Sequence, residues 1–176
     1  MRDRGGHLIL VGLPGVGKST VGAGVAALLG VPFLDLDVEL ERRAGMSVHE
    51  IFRVRGEPHF RRLERDLTAE LAGAPPMVLA PGGGWIAQPG VAALLRPPGR
   101  IIYLSASPEV VAARMGAGMA SRPLLAGSDP AERLAALLAA RERDYLSADA
   151  VVNTELLDVQ QVIHAVGALA TTSGAR

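Results

Sequence analysis

Residues 12–19 read Gly12-Leu13-Pro14-Gly15-Val16-Gly17-Lys18-Ser19, with Thr20 next, and this G-x-x-x-x-G-K-[ST] run restricts the fold more than any other stretch. Such a run has meaning only between a buried strand and the start of a helix, and both flanks are present. His7-Leu8-Ile9-Leu10-Val11-Gly12 is a short apolar run without helical spacing, the pattern of a strand covered on both faces. Val21, Val25, Leu28 and Leu29 then recur at helical spacing until Gly30 and Pro32 stop the helix. The glycines permit backbone approaches that a Cβ forbids, so the N–H groups of Gly15, Val16, Gly17, Lys18, Ser19 and Thr20 can turn inward on an anion. The positive end of the helix reinforces that nest. Lys18 is expected to reach the β- and γ-phosphates of a nucleotide, and the Ser19 hydroxyl suits Mg²⁺, which takes oxygen ligands. A glycine-rich surface turn is the alternative, and the flanking strand and helix weigh against it.

The remainder continues the strand–helix alternation. Val31-Pro32-Phe33-Leu34-Asp35 begins a second strand, with polar Asp35 and Asp37 at its end. Two helices are expected next. Ser47 and Glu50 form an S-x-x-E capping box before Ile51 and Phe52, and Glu57 to Leu71 carries Phe60, Leu63, Leu67 and Leu71 on one stripe. Met77–Ala80, Arg100–Leu104 and Ala150–Asn153 are the third, fourth and fifth strands. Ser107-Pro108, Asp129-Pro130 and Asp158 open the later helices. This order implies an α/β fold: a three-layer α/β/α arrangement around a five-stranded parallel sheet with right-handed crossovers.

Length and composition fit one domain over residues 1–176, with no linker or repeat. Aromatics are only 3% of the chain, so the core must be aliphatic. A formal net charge of zero argues against nucleic-acid and membrane-surface partners. No cysteine is present, which removes disulfides, thiol catalysis and cysteine-type zinc sites together. Met1 to His7 lacks the apolar run of a signal peptide, and no stretch approaches the ~20 apolar residues of a spanning helix. A soluble, cytoplasmic protein is the expectation. His7, His49, His59 and His164 have no ligand spacing and are given no role.

Asp35-Leu36-Asp37 sets two carboxylates on one side of an extended segment. Beside the glycine-rich loop, one could support a metal while the other orients an acceptor hydroxyl and takes its proton; a solvated acidic loop is the other reading. Arg61 and Glu64 are helix neighbours, either a surface ion pair or a guanidinium held ready for a carboxylate. Gly82-Gly83-Gly84 leaves the third strand with free amides and room for a ligand, or as a flexible turn. Between Met115 and Asp129, small residues followed by Ser121-Arg122-Pro123-Leu124-Leu125 suit a mobile flap over 115–128. From it Arg122 could swing onto a transferring phosphate. Arg141 and Arg143 offer further cations.

In this order the motifs resemble shikimate kinases, over Leu8 to about Val166: G-L-P-G-V-G-K-S-T, D-L-D, G-E-x-x-F-R-x-L-E, G-G-G, S-R-P-L-L and an Arg-x-x-x-Tyr helix end. The resemblance implies a P-loop fold of the nucleoside-monophosphate-kinase type with a lid, and ATP-dependent phosphorylation of the shikimate 3-hydroxyl in aromatic amino-acid biosynthesis. It implies ATP phosphates on Gly15 through Thr20, Mg²⁺ on Ser19 directly, and Asp35 supporting the metal through water. Asp37 would hold shikimate hydroxyls, including the attacking one. Arg61 and Arg141 would bind its carboxylate, Gly82, Gly83 and Gly84 would line its ring, and 38–73 would be the acceptor-binding helices. Arg122 would touch nucleotide phosphates, Arg114 would lie against adenine, and a monomer would suffice. With Asp37, Lys18 and Arg122 all present, catalysis is favoured over a non-catalytic nucleotide-dependent regulator. A kinase of the same fold acting on gluconate, a cyclitol or a nucleotide is the competing enzyme.

The chain departs from the family pattern in three places. Trp85 follows the triple glycine where a small residue is usual, and Pro81 precedes it where a small hydroxylated residue is common. Trp85 is expected to fill core behind the glycines rather than line the pocket, since large aromatics usually serve packing. Asn153-Thr154-Glu155-Leu156-Leu157 lacks the basic residue that often helps to hold adenine.

Overall fold

The protein, here a computed structural model, is described over residues 6–116 and 129–171. Strand β1 (Leu8–Val11) is buried along its whole length, as its unbroken apolar run requires. It sits at the centre of a sheet ordered β2-β3-β1-β4-β5, with β2 at Phe33–Asp35, β3 at Val78–Ala80, β4 at Arg100–Ser105 and β5 at Ala150–Asn153. Every neighbouring pair is parallel. The chain moves from β1 outward in both directions, so a crevice opens at the carboxyl end of β1, where open α/β sheets place their ligands. The glycine-rich loop leaves β1 at that point.

Seven helices accompany the sheet among the described residues: α1 (Lys18–Leu29), α2 (Leu36–Ala44), α3 (Val48–Arg55), α4 (Glu57–Leu71), α5 (Pro108–Met115), α6 (Pro130–Tyr145) and α7 (Val159–Thr171). The start signals in the sequence act as expected. Ser47 and Glu50 close a capping box on α3. Asp129 accepts from the Ala131 N–H, and Asp158 from the Gln161 N–H. The core is a continuous aliphatic cluster around β1, β3 and β4, with Trp85 and Tyr145 its largest fully buried side chains. Trp85 is 0% exposed and its indole N–H donates to Thr68 Oγ1 at 2.9 Å, so it fills core.

Between β2 and β3 the chain forms three helices, not two. The extra one is α2, and its cause is Asp35. The Asp35 Oδ1 accepts from the Asp37 and Val38 N–H groups at 3.0 and 3.2 Å, an N-cap that turns the chain into a helix straight after β2. Leu36 and Leu40, four apart, then bury one face of α2. Asp35 and Asp37 therefore do not share the face of a strand: one caps the helix and the other stands in its first turn.

Residues 117–128, with Arg122 and most of the expected flap, lie outside the described residues. Met115, the first residue of that expected flap, ends α5 and packs its thioether over Gly15, in the space a Cβ there would need. No helix among the described residues is long and apolar enough to cross a membrane.

Candidate active site

The loop after β1 depends on glycine where the backbone is unusual. Gly12 has φ 146°, and a Cβ there would stand 2.5 Å from the Leu104 carbonyl oxygen of the neighbouring strand. Gly17, with φ 107°, is the N-cap of α1 and offers no side chain to its first turn. The first amides of α1 are thereby left to an anion. Lys18 Nζ reaches back across the loop and donates to the Gly12 and Leu13 carbonyls, both at 3.0 Å. Ser19 Oγ donates to Asp35 Oδ2 at 2.5 Å. Asp35 thus uses one oxygen to cap α2 and the other to orient a hydroxyl beside the glycine-rich loop.

On the β3 side of the loop two carboxyls converge. Asp37 Oδ1 and Glu64 Oε1 are buried and have no hydrogen-bond partner among the described residues. A Cβ built on Gly82 would lie 3.0 Å from the first and 3.3 Å from the second, so glycine keeps open the space both face. Burial, the adjacent Asp35 and Glu41 push the Asp37 carboxyl up to about 6, against the pull of Lys18 and Arg61. Glu64 is pushed up to about 7, first by burial and then by Asp37, despite Arg61 and Gln88 beside it. Two neighbouring acids buried together and held this far above the ordinary carboxylate range are not a solvated acidic loop.

Arg61 faces the same opening. Its Nη1 donates to Glu64 Oε2 at 2.5 Å, and its guanidinium lies 5.9 and 5.4 Å from the ring centroids of Phe52 and Phe60. Because Glu64 is 0% exposed, this is not a surface ion pair. The outer edge of Arg61 is occupied too: Nε and Nη2 donate to Glu57 Oε1 at 3.1 and 2.8 Å. Glu57 is largely exposed, and such a pair contributes less than about 1 kcal/mol, so a better-placed carboxylate can displace it. Gly84 lies under Arg61 and Gly83 under Arg141; a Cβ on Gly83 would meet Arg141 Nη1, Pro14 Cδ and the Gly12 carbonyl at 3.2–3.3 Å. The triple glycine is therefore a narrow floor between two arginines and the phosphate loop.

A shikimate kinase family model matches residues 14–169. The chain belongs to the shikimate kinase family. It is 46% identical to a shikimate kinase of Paracidovorax citrulli over 80% of this chain and 76% of that one. It is 42% identical to a shikimate kinase of Geobacter sulfurreducens over 90% and 87% of the two chains. A shikimate kinase from Acinetobacter baumannii in complex with shikimate superposes with a TM-score of 0.88 at 33% identity, over 97% of this chain and 96% of that one.

In this shikimate kinase fold Arg114 ties α5 to the ends of β4 and β5. Arg114 donates to Thr154 through Nη1–Oγ1 at 2.8 Å and through Nη2 to the Thr154 carbonyl at 2.5 Å, while Thr154 Oγ1 donates to Ser105 O. That fastening holds Arg114 across the ends of two strands, and no basic residue of 153–157 takes part. Arg143, by contrast, is exposed, and Arg122 is not described. Three contributors were given no role in the sequence, although Tyr145 stands in the Arg-x-x-x-Tyr helix end. Tyr145 Oη donates to the Gly83 carbonyl at 2.7 Å, and Thr68 and Gln88 support Trp85 and Glu64. Tyr145 had a signal, since it follows Arg141 by four residues and so shares its helix face. Thr68 and Gln88 had none, because their partners are set by the packing of α4 against a turn.

Gly84→Ala tests the floor. The new methyl would come within 2.6 Å of Arg61 Nη2, the far end of a flexible side chain, so the fold tolerates it while the guanidinium moves. The expected result in steady-state kinetics is an acceptor KM raised about tenfold, as for a weakened charged hydrogen bond, with the ATP KM unchanged.

Proposed function

We propose that this protein transfers the γ-phosphoryl group of ATP to the 3-hydroxyl of shikimate, giving shikimate 3-phosphate and ADP. One observation carries the reading: the partnerless oxygen of Asp37 faces a glycine-cleared space bounded by the phosphate loop on one side and Arg61 on the other. A vicinal-hydroxyl ring bearing a carboxylate suits that space. Its anion would sit on Arg61 and Arg141, and its reacting hydroxyl would point to Asp37.

The acceptor oxygen bonds to the γ-phosphorus as the bond to the β–γ bridging oxygen breaks, and ADP leaves with that oxygen. The hydroxyl proton passes to Asp37. Lys18 and the first amides of α1 stabilise charge on the phosphates, and Arg122 adds to them. Arg114, fixed by Thr154, lies against the base. Ser19 and Asp35 fit Mg²⁺: both donors are oxygen, and the hydroxyl is already turned toward the carboxylate at 2.5 Å. Bound there, directly by Ser19 and through water by Asp35, the ion would neutralise charge on the β- and γ-phosphate oxygens. Every residue of the reading comes from one chain, so a monomer is sufficient.

ADP release by the purified protein, measured with shikimate, gluconate and a cyclitol in turn, tests the assignment. Turnover confined to shikimate is the expected result; turnover with gluconate and none with shikimate overturns it. The pH profile tests the base. With the Asp37 carboxyl at about 6, the proton-accepting form is lost as pH falls. The acceptor kcat/KM should be level above about pH 7.5 and should fall below about 6 with a slope approaching tenfold per unit. A level profile from pH 5 to 8 would place the base elsewhere.

A further inference from the structure

We infer that Gln88 is a positioning residue for the acceptor carboxylate: its amide fixes Glu64, and through Glu64 it fixes the guanidinium of Arg61. The inference rests on the role of Arg61 proposed above. Glu64 Oε2 accepts from two donors, Arg61 Nη1 at 2.5 Å and Gln88 Nε2 at 2.8 Å, while Oε1 has no partner among the described residues. A carboxylate held by two donors on one oxygen cannot rotate without giving up a charge-assisted bond in a dry environment. Without Gln88, Arg61 is the only side-chain donor left to Glu64, and the weak, exposed Glu57 pair is the only other ion pair on Arg61, so the two can shift together away from the glycine floor.

Gln88 is itself well held. Its N–H donates to the Trp85 carbonyl at 3.1 Å, the Trp85 N–H to the Gly82 carbonyl at 3.0 Å, and the Val91 N–H to the Gln88 carbonyl at 3.2 Å. Helix α4 grips this run of turns at three neighbouring positions. Glu64 takes the Gln88 amide, the Arg65 guanidinium donates to the Pro89 carbonyl, and Thr68 Oγ1 accepts from the Trp85 indole while donating to the Glu64 carbonyl at 2.7 Å. Turn and helix form one rigid piece. At one end it carries the glycines that line the crevice, and at the other the amide that sets Arg61. Trp85 secures that piece from within the core, which gives the departure from the family's small residue a physical use.

The test measures KM for both substrates, kcat and melting temperature in Gln88→Met, Gln88→Glu and Arg61→Met. Gln88→Met keeps the length and loses the donor. Its shikimate KM should rise about tenfold, with the ATP KM unchanged and kcat within about threefold of the parent. Gln88→Glu restores a donor only when protonated, and the Glu64 carboxylate beside it raises its pKa. Its shikimate KM, as a ratio to the parent at the same pH, should be smallest at pH 5.5 and should climb toward pH 8. A purely structural role would instead lower the melting temperature and disturb both KM values together, without that pH dependence, and that result overturns the inference. So does an unchanged shikimate KM in Gln88→Met. Arg61→Met separates the two layers. If it keeps the parent KM, the proposed role of Arg61 falls and the inference falls with it. If it raises KM while Gln88→Met does not, the inference alone falls.

Discussion

Asp37→Asn should lose turnover by about a thousandfold, retain ATP affinity, and melt at a higher temperature than the parent at pH 8. The kinetic half follows from the proton: an amide of nearly the same shape holds a hydroxyl but cannot accept its hydrogen. The stability half follows from the burial of Asp37. A carboxyl whose folded pKa is raised from 3.8 to about 6 is a liability once ionised. The folded chain holds the proton more tightly than the unfolded chain, so stability is lost as pH rises between those values and the full cost stands above about 6. Two units correspond to about 3 kcal/mol, reduced to about 1–2 kcal/mol by partial solvation and by the imperfect pairing of a new amide. At this chain length, that gain is about 3–6 °C at pH 8, and it should fade by pH 4. Thermal melts at the two pH values, set beside ADP release, check both halves. A variant inactive and less stable at pH 8 would show that Asp37 is a structural acid; one that is fully active would show that the base is misplaced.

The same residue marks the boundary of what could be read from the sequence. The strand–loop–helix frame was legible because its signals are local: a buried apolar run, glycines where φ is positive, and caps such as Ser47 and Asp158 whose partners lie three residues away. All five strands and their parallel direction followed from alternation with helices, whereas their order in the sheet did not. Asp35 misled because D-L-D in an extended register and D-L-D across a helix start look alike in one dimension. Only its two N-cap hydrogen bonds distinguish them. The burial of Glu64 was likewise hidden. A glutamate three residues from an arginine is usually solvated, and its surroundings here come from Trp85, Gln88 and Asp37, more than twenty residues away on either side or brought in across the sheet. The pairing of motif residues was legible, but their protonation was not, since the latter is a property of three-dimensional burial.

Lys18→Met should lower kcat/KM for ATP by about a thousandfold and weaken nucleotide binding itself, where Asp37→Asn spares it. The two variants remove charges of opposite sign from opposite sides of the same space. Lys18 lies where the loop's carbonyls turn outward, and its ammonium holds the Gly12 and Leu13 oxygens at 3.0 Å. With a triphosphate in the nest, those contacts would be exchanged for phosphate oxygens, and the interaction would strengthen as charge develops on the leaving oxygen. Methionine fills the same volume without that charge. Its loss also removes one of the two cations that hold the Asp37 carboxyl down, so the acid limb of any residual activity should shift to higher pH. Isothermal titration with ATP and the pH profile of single-turnover rates separate these effects. If nucleotide affinity is intact and the limb is unmoved in Lys18→Met, the ammonium does not reach the phosphates or the base, and the proposed site geometry is wrong.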